Sequence, residues 1–136
     1  MELTINHSLN DNVDLTATYT YIKVEDSDGG STFIRNSDYI PNTYRFGVRY
    51  VDGKWNSNIW LRSGSGAETS NNKYVDSKYV TVDLTVSYNA TRDLMFYAKG
   101  YNLFNEAYAD CSGVSNGSYI YPAQSRRFIV GAEYKF

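Results

Sequence analysis

The sequence predicts an all-β fold, the wall of an antiparallel up-and-down transmembrane β-barrel of about seven strands, with short periplasmic turns and long extracellular loops. Two observations predict it. Apolar and polar residues alternate with a period of two along most of the chain, the pattern of strands with two different faces. The connections between these stretches alternate short and long, as in bacterial outer-membrane barrels; a β-sandwich has no reason to gather its long loops at one end.

Seven strands are expected, at 2–9, 13–25, 42–51, 55–63, 78–89, 93–104 and 125–136, and no helix. Met1-Glu2-Leu3-Thr4-Ile5 already reads as strand, with no signal peptide before it, so an exported parent would begin earlier. In the second strand Leu15, Ala17, Tyr19 and Tyr21 oppose Asp14, Thr16, Thr18 and Thr20. In the third, Tyr44, Phe46, Val48 and Tyr50 oppose Arg45, Gly47 and Arg49. The fifth is clearest, with Val80, Val82, Leu84, Val86 and Tyr88 against Thr81, Asp83, Thr85 and Ser87. The last sets Phe128, Val130, Ala132, Tyr134 and Phe136 against Ile129, Gly131, Glu133 and Lys135. Asn10-Asp11-Asn12, Val51-Asp52-Gly53-Lys54 and Asn89-Ala90-Thr91-Arg92 are tight turns, rich in residues that tolerate turn geometry. The polar stretches 26–41, 64–77 and 109–124 are the long loops. Aromatics near strand ends, at Tyr50, Trp55, Tyr79, Tyr88 and Tyr134, are placed for an interfacial girdle.

Composition narrows the function classes. No apolar run approaches the roughly 18 residues of a spanning helix, which leaves strands as the way to cross a bilayer. A net charge of −2 gives no basic footprint, so nucleic acid is not an expected partner. The single cysteine, Cys111, cannot form an internal disulfide, and no Cys/His spacing suggests a metal site. His7 is the only histidine, and no nucleophile–base pair is apparent, so no catalytic residue and no cofactor is expected. Asp26-Ser27-Asp28-Gly29-Gly30 lacks the later ligands of a calcium loop, and Ser63-Gly64-Ser65-Gly66 has no following helix to cradle a phosphate.

Two stretches carry a specific likeness. Tyr101-Asn102-Leu103-Phe104-Asn105-Glu106-Ala107-Tyr108 resembles the segment that ends the penultimate strand of TonB-dependent receptors, through Asn102, Leu103, Phe104 and Tyr108. Tyr121-Pro122-Ala123-Gln124-Ser125-Arg126-Arg127-Phe128, followed by the alternating tail to Phe136, resembles the closing strand of the same family, with Pro122 and Arg126 at the motif positions. Ser125 stands where the family usually has Gly. The resemblance covers roughly the last 40 residues by motif and the rest by strand rhythm.

The resemblance implies that residues 1–136 are the C-terminal part of a larger barrel, the plug and earlier strands lying outside them, since about 22 strands need roughly 200 residues. It further implies a bacterial outer-membrane location and uptake of a scarce nutrient, an iron-siderophore or haem, as a small-molecule metal chelate. Outer-membrane lipid, TonB through the N-terminal part, and the barrel-assembly machinery are the implied partners, with Phe128, Tyr134 and Phe136 as the assembly signal. The substrate would be met by extracellular loops. There Phe33, Arg35, Tyr39, Tyr74, Tyr119 and Tyr121 offer aromatic faces for stacking and a guanidinium for anionic oxygens. Arg45, Arg49 and Arg62, on the polar strand faces, are expected to meet acidic groups of the plug or to tune the lumen. Two other readings stay open: a small complete barrel acting as adhesin or structural protein, and a soluble lipocalin-like ligand-binding barrel. The second would turn Val80, Val82, Leu84 and Val86 into a cavity instead of toward lipid.

Overall fold

The computed structural model describes residues 1–23, 40–65, 78–111 and 121–136, with the side chains of 109–111 and 121 outside the described set. Among the described residues nine strands form: β1 (Glu2–Asn10), β2 (Val13–Tyr21), β3 (Asn42–Asp52), β4 (Trp55–Ser65), β5 (Tyr79–Asn89), β6 (Leu94–Tyr101), β7 (Ala109–Cys111), β8 (Tyr121–Pro122) and β9 (Arg127–Tyr134). Seven make one sheet in the order β1-β2-β3-β4-β5-β6-β9, every pair antiparallel, and β7 pairs β8 in a separate ladder. The sheet is therefore a plain meander, and the expected seven-strand wall is what forms.

Its registers join the alternating faces of neighbouring strands into continuous surfaces. One row runs Ile5, Ala17, Phe46, Leu61 and Val82, and the next runs Leu15, Val48, Ile59 and Leu84 to Gly100 and Phe128. The opposite face is lined by Thr18, Arg45, Arg62 and Thr81 in one row, and by Asp14, Arg49, Asn58, Thr85 and Lys99 in another.

Burial runs opposite to that of a water-soluble protein. Among the described residues no hydrophobic side chain is buried, while Thr81 is 0% exposed and its strand neighbour Val80 is 50% exposed. Phe46, Ile59, Leu61 and Val130 are likewise exposed. A wall that shields Thr81 while displaying aliphatic chains on its other face suits a hydrated lumen and a lipid exterior.

The tight turns fold as local chemistry dictates. Asn12 N donates to Asn10 Oδ1 at 2.9 Å, Gly53 takes φ +52°, and Thr91 Oγ1 accepts from Asp93 N and Leu94 N at 3.2 and 3.0 Å. The three turns also bond sideways: Asn12 Nδ2 donates to Val51 O at 2.6 Å and Lys54 Nζ to Ala90 O at 3.2 Å. One end of the meander is thus a continuous short rim, and the long connections leave from the other.

Several details depart from the sequence reading. β2 ends at Tyr21 instead of 25, and β6 ends at Tyr101 instead of 104. β7 and β8 lie inside what was expected to be plain loop. Tyr79 does not join an outward girdle: its register partner is Gly64 on the polar face, and its ring stacks on Tyr108 at 4.0 Å. Tyr50, Trp55 and Tyr134 do point outward, and Trp55 packs on Tyr88 at 4.7 Å near the short rim.

Candidate functional site: the lumen wall and the corner after β6

Cross-strand glycines shape the polar face. Trp60 lies directly opposite Gly47, and three of its ring atoms sit 2.6–2.8 Å from where a Cβ on Gly47 would be. Tyr79 covers Gly64 and Tyr97 covers Gly131 in the same way, each ring directly opposite its glycine. Missing side chains on one strand thus make notches for large rings on the next, and the rings lie flat along the wall.

Charged groups stand among the hydroxyls and amides of the same face. Arg62 binds Asp83 at 2.7 Å, with side chains 37% and 15% exposed, whereas the Arg49–Asp14 pair is looser at 3.6 Å. A pair that exposed contributes under about 1 kcal/mol in water. Two cations rest on tyrosines: Lys99 Nζ lies 5.0 Å from the Tyr97 ring centroid and the Arg127 guanidinium 4.9 Å from that of Tyr101. Trp60, Arg49, Asp14, Asn58, Asn6 and Thr16 help to line a concavity of about 360 Å³ toward the short rim.

At the opposite end, β6 stops in a corner built by asparagines. Asn102 is 3% exposed with φ +47°, and Asn105 has φ +56°, a region asparagine enters more readily than most residues. Asn102 N donates to Asp83 Oδ1 at 2.8 Å. Its Nδ2 donates to Glu106 O at 2.9 Å and to Gln124 O at 3.1 Å, and its Oδ1 accepts from Glu106 N at 2.9 Å. Asn105 Oδ1 accepts from Arg126 N at 3.1 Å. The two motif stretches, separate in sequence, are therefore bonded to each other. Through Asp83 the corner also reaches Arg62 on the lumen wall.

The remaining motif residues divide by environment. Leu103 N donates to Val82 O at 2.9 Å and its side chain closes over Gly100, while Phe104 is 76% exposed. Tyr108 stacks on Tyr79, and its carbonyl accepts from Ala123 N at 2.9 Å, just past Pro122 in β8. Arg126 enters through its backbone. Phe128, Tyr134 and Phe136 are exposed on or beyond the edge strand β9, with Tyr134 and Phe136 in edge-to-face contact at 5.2 Å.

Of the loop residues proposed to meet substrate, Phe33, Arg35, Tyr39, Tyr74 and Tyr119 lie outside the described residues, and Tyr121 enters only as backbone of β8. What sequence reasoning missed is the pairing of Arg62 with Asp83 and the clamp made by Asn102. Both residue types were visible, but the registers that bring them together depend on connections whose geometry a periodic pattern does not specify.

Comparison with known proteins follows the same outline. The family model described as TonB dependent receptor-like, beta-barrel matches residues 1–103. No curated protein matches the chain. Among solved structures, the copper transporter OprC aligns over 99% of this chain with a TM-score of 0.76 at 20% identity. The chain spans 23% of the length of that structure, and the likeness at this identity is one of fold.

Proposed function

Because the chain belongs to the TonB-dependent receptor-like β-barrel family, whose members are bacterial outer-membrane proteins, we propose that it forms wall and loops of a transporter that imports a scarce nutrient. The cargo we propose is a metal chelate, an iron-siderophore or haem. The observation that carries the transport reading is the inverted wall: polar, partly shielded groups on one face, a contiguous apolar face on the other, and long connections at one end. Phe33, Arg35, Tyr39, Tyr74, Tyr119 and Tyr121 are proposed to contact the cargo from those connections, by stacking and by pairing with its anionic oxygens. TonB would act through a segment outside these 136 residues, and Phe128, Tyr134 and Phe136 would present the closing strand to the assembly machinery.

The test is uptake by cells with and without the intact gene, and with and without TonB. Radiolabelled ferric siderophores, haem and copper should be compared side by side. TonB-dependent accumulation of a ferric siderophore or haem, lost on deletion, is the expected result. Accumulation of copper alone would overturn the cargo assignment, and no TonB-dependent uptake of any small molecule would overturn transport.

A further inference from the structure

We propose that the concavity around Trp60 is a binding site for a small neutral saccharide, apart from the loop residues assigned to the cargo. Two adjacent rows of opposed residues build it. The first runs Asn6, Thr16, Gly47 and Trp60, and the second Ser8, Asp14, Arg49 and Asn58. At the centre the bare α-carbon of Gly47 lets the indole lie against the wall, because the ring occupies the space that a Cβ would need. One face of the ring covers the glycine and the other is left to the lumen, an apolar platform inside a polar rim.

The hydrogen-bonding capacity of that rim is only partly used within the protein. Thr16 Oγ1 donates to Asn6 Oδ1 at 2.9 Å, and Ser8 Oγ donates to Asp14 Oδ1 at 2.7 Å. The Asn6 amide nitrogen is left over, and among the described residues neither the Asn58 amide nor the Trp60 Nε1 has a hydrogen-bond partner. An amide sets donors beside an acceptor, the pattern that answers neighbouring hydroxyls. The charges of Arg49 and Asp14 face each other at 3.6 Å and cancel, so the surface favours a neutral ligand over an ion. A pyranose ring has the two matching surfaces, C–H groups on its faces and hydroxyls around its perimeter. A flat aromatic ligand would cover the indole and offer the amides nothing to bond. The volume of about 360 Å³ lies at the lower end of ligand pockets, roughly 300–1,000 Å³, which suits a mono- or disaccharide and not a polymer. The site goes beyond the transport reading and stands whatever the cargo is.

The experiment uses the intact outer-membrane protein in an amine-oxide detergent, since a glycosidic detergent would itself fill the site. Glucose, galactose, mannose, N-acetylglucosamine, maltose and cellobiose are titrated by calorimetry, and saturation-transfer NMR reads which sugar protons meet the protein. At least one sugar should bind saturably, its ring C–H protons receiving the strongest transfer. Trp60→Ala should weaken that binding at least about tenfold, and Asn58→Ala about threefold to tenfold, the loss of neutral hydrogen bonds. Gly47→Ala, which pushes the indole off its seat, should act like Trp60→Ala, while Trp55→Phe on the lipid face leaves binding unchanged. Asn58→Ala keeps the test decisive if the Trp60 or Gly47 variant fails to fold. No saturable binding of any of these sugars to the folded wild type would overturn the site. A lowered thermal midpoint in Trp60→Ala alongside that result would assign the concavity to the polypeptide filling the lumen. Sugar binding that survives both Trp60→Ala and Asn58→Ala would place the sugar elsewhere and overturn the site as well.

Discussion

A single asparagine shows how much of this architecture rests on individual side chains. Asn102 is buried, holds a left-handed backbone and makes three side-chain hydrogen bonds that tie the end of β6 to the entry of β9. Alanine would remove all three bonds and keep the unfavourable φ, leaving Glu106 N without this acceptor and two carbonyls without this donor. We expect Asn102→Ala to lower stability by about 3 kcal/mol, from the cost of unmet buried groups. Asn102→Gly loses the same bonds but relieves the backbone, so it should be the more stable of the two by about 1 kcal/mol. Urea midpoints of the intact protein in micelles check the ranking. A glycine variant as unstable as the alanine variant would remove backbone strain from the account.

At the scale of the strand, the two faces answer to different solvents. Leu84 and Thr85 are neighbours near the middle of β5 and point to opposite sides. Leu84→Arg places a charge in hydrocarbon and should cost about 2–4 kcal/mol, whereas Thr85→Arg enters the polar face near Lys99 and should cost under about 1 kcal/mol. Refolding titrations into lipid vesicles give both numbers, and similar costs for the two would sink the assignment of faces. Strands of this kind are legible in a sequence because period-two alternation and turn residues are local. The end of β6 was not: Leu103 and Phe104 continue the apolar rhythm, and only the left-handed backbone at Asn102 and Asn105 breaks it. The β7–β8 ladder was hidden for the opposite reason, since residues 109–111 and 121–122 sit in polar stretches without alternation. The Tyr79 ring was misplaced because being near a strand end says nothing about which face a residue takes. Parity relative to Val80 would have shown it.

For the whole chain, the balance of forces depends on the surroundings. With no buried apolar core among the described residues, burial away from water cannot drive collapse, and the backbone ladder must find a low-dielectric exterior to be worth forming. The 136-residue chain should therefore gain cooperative sheet structure in detergent micelles and not in plain buffer, followed by circular dichroism and light scattering. A monodisperse folded monomer in buffer would contradict the membrane wall. The glycine notches bear on the size of the ring these strands help to close. Each ring seated on Gly47, Gly64 or Gly131 would strike a side chain if its strand slipped along its neighbour. The stagger between strands is thereby fixed at three of the six seams of the sheet. In a closed cylinder, stagger and strand number together set tilt and diameter. Three bare α-carbons thus help to gauge the bore of the pore.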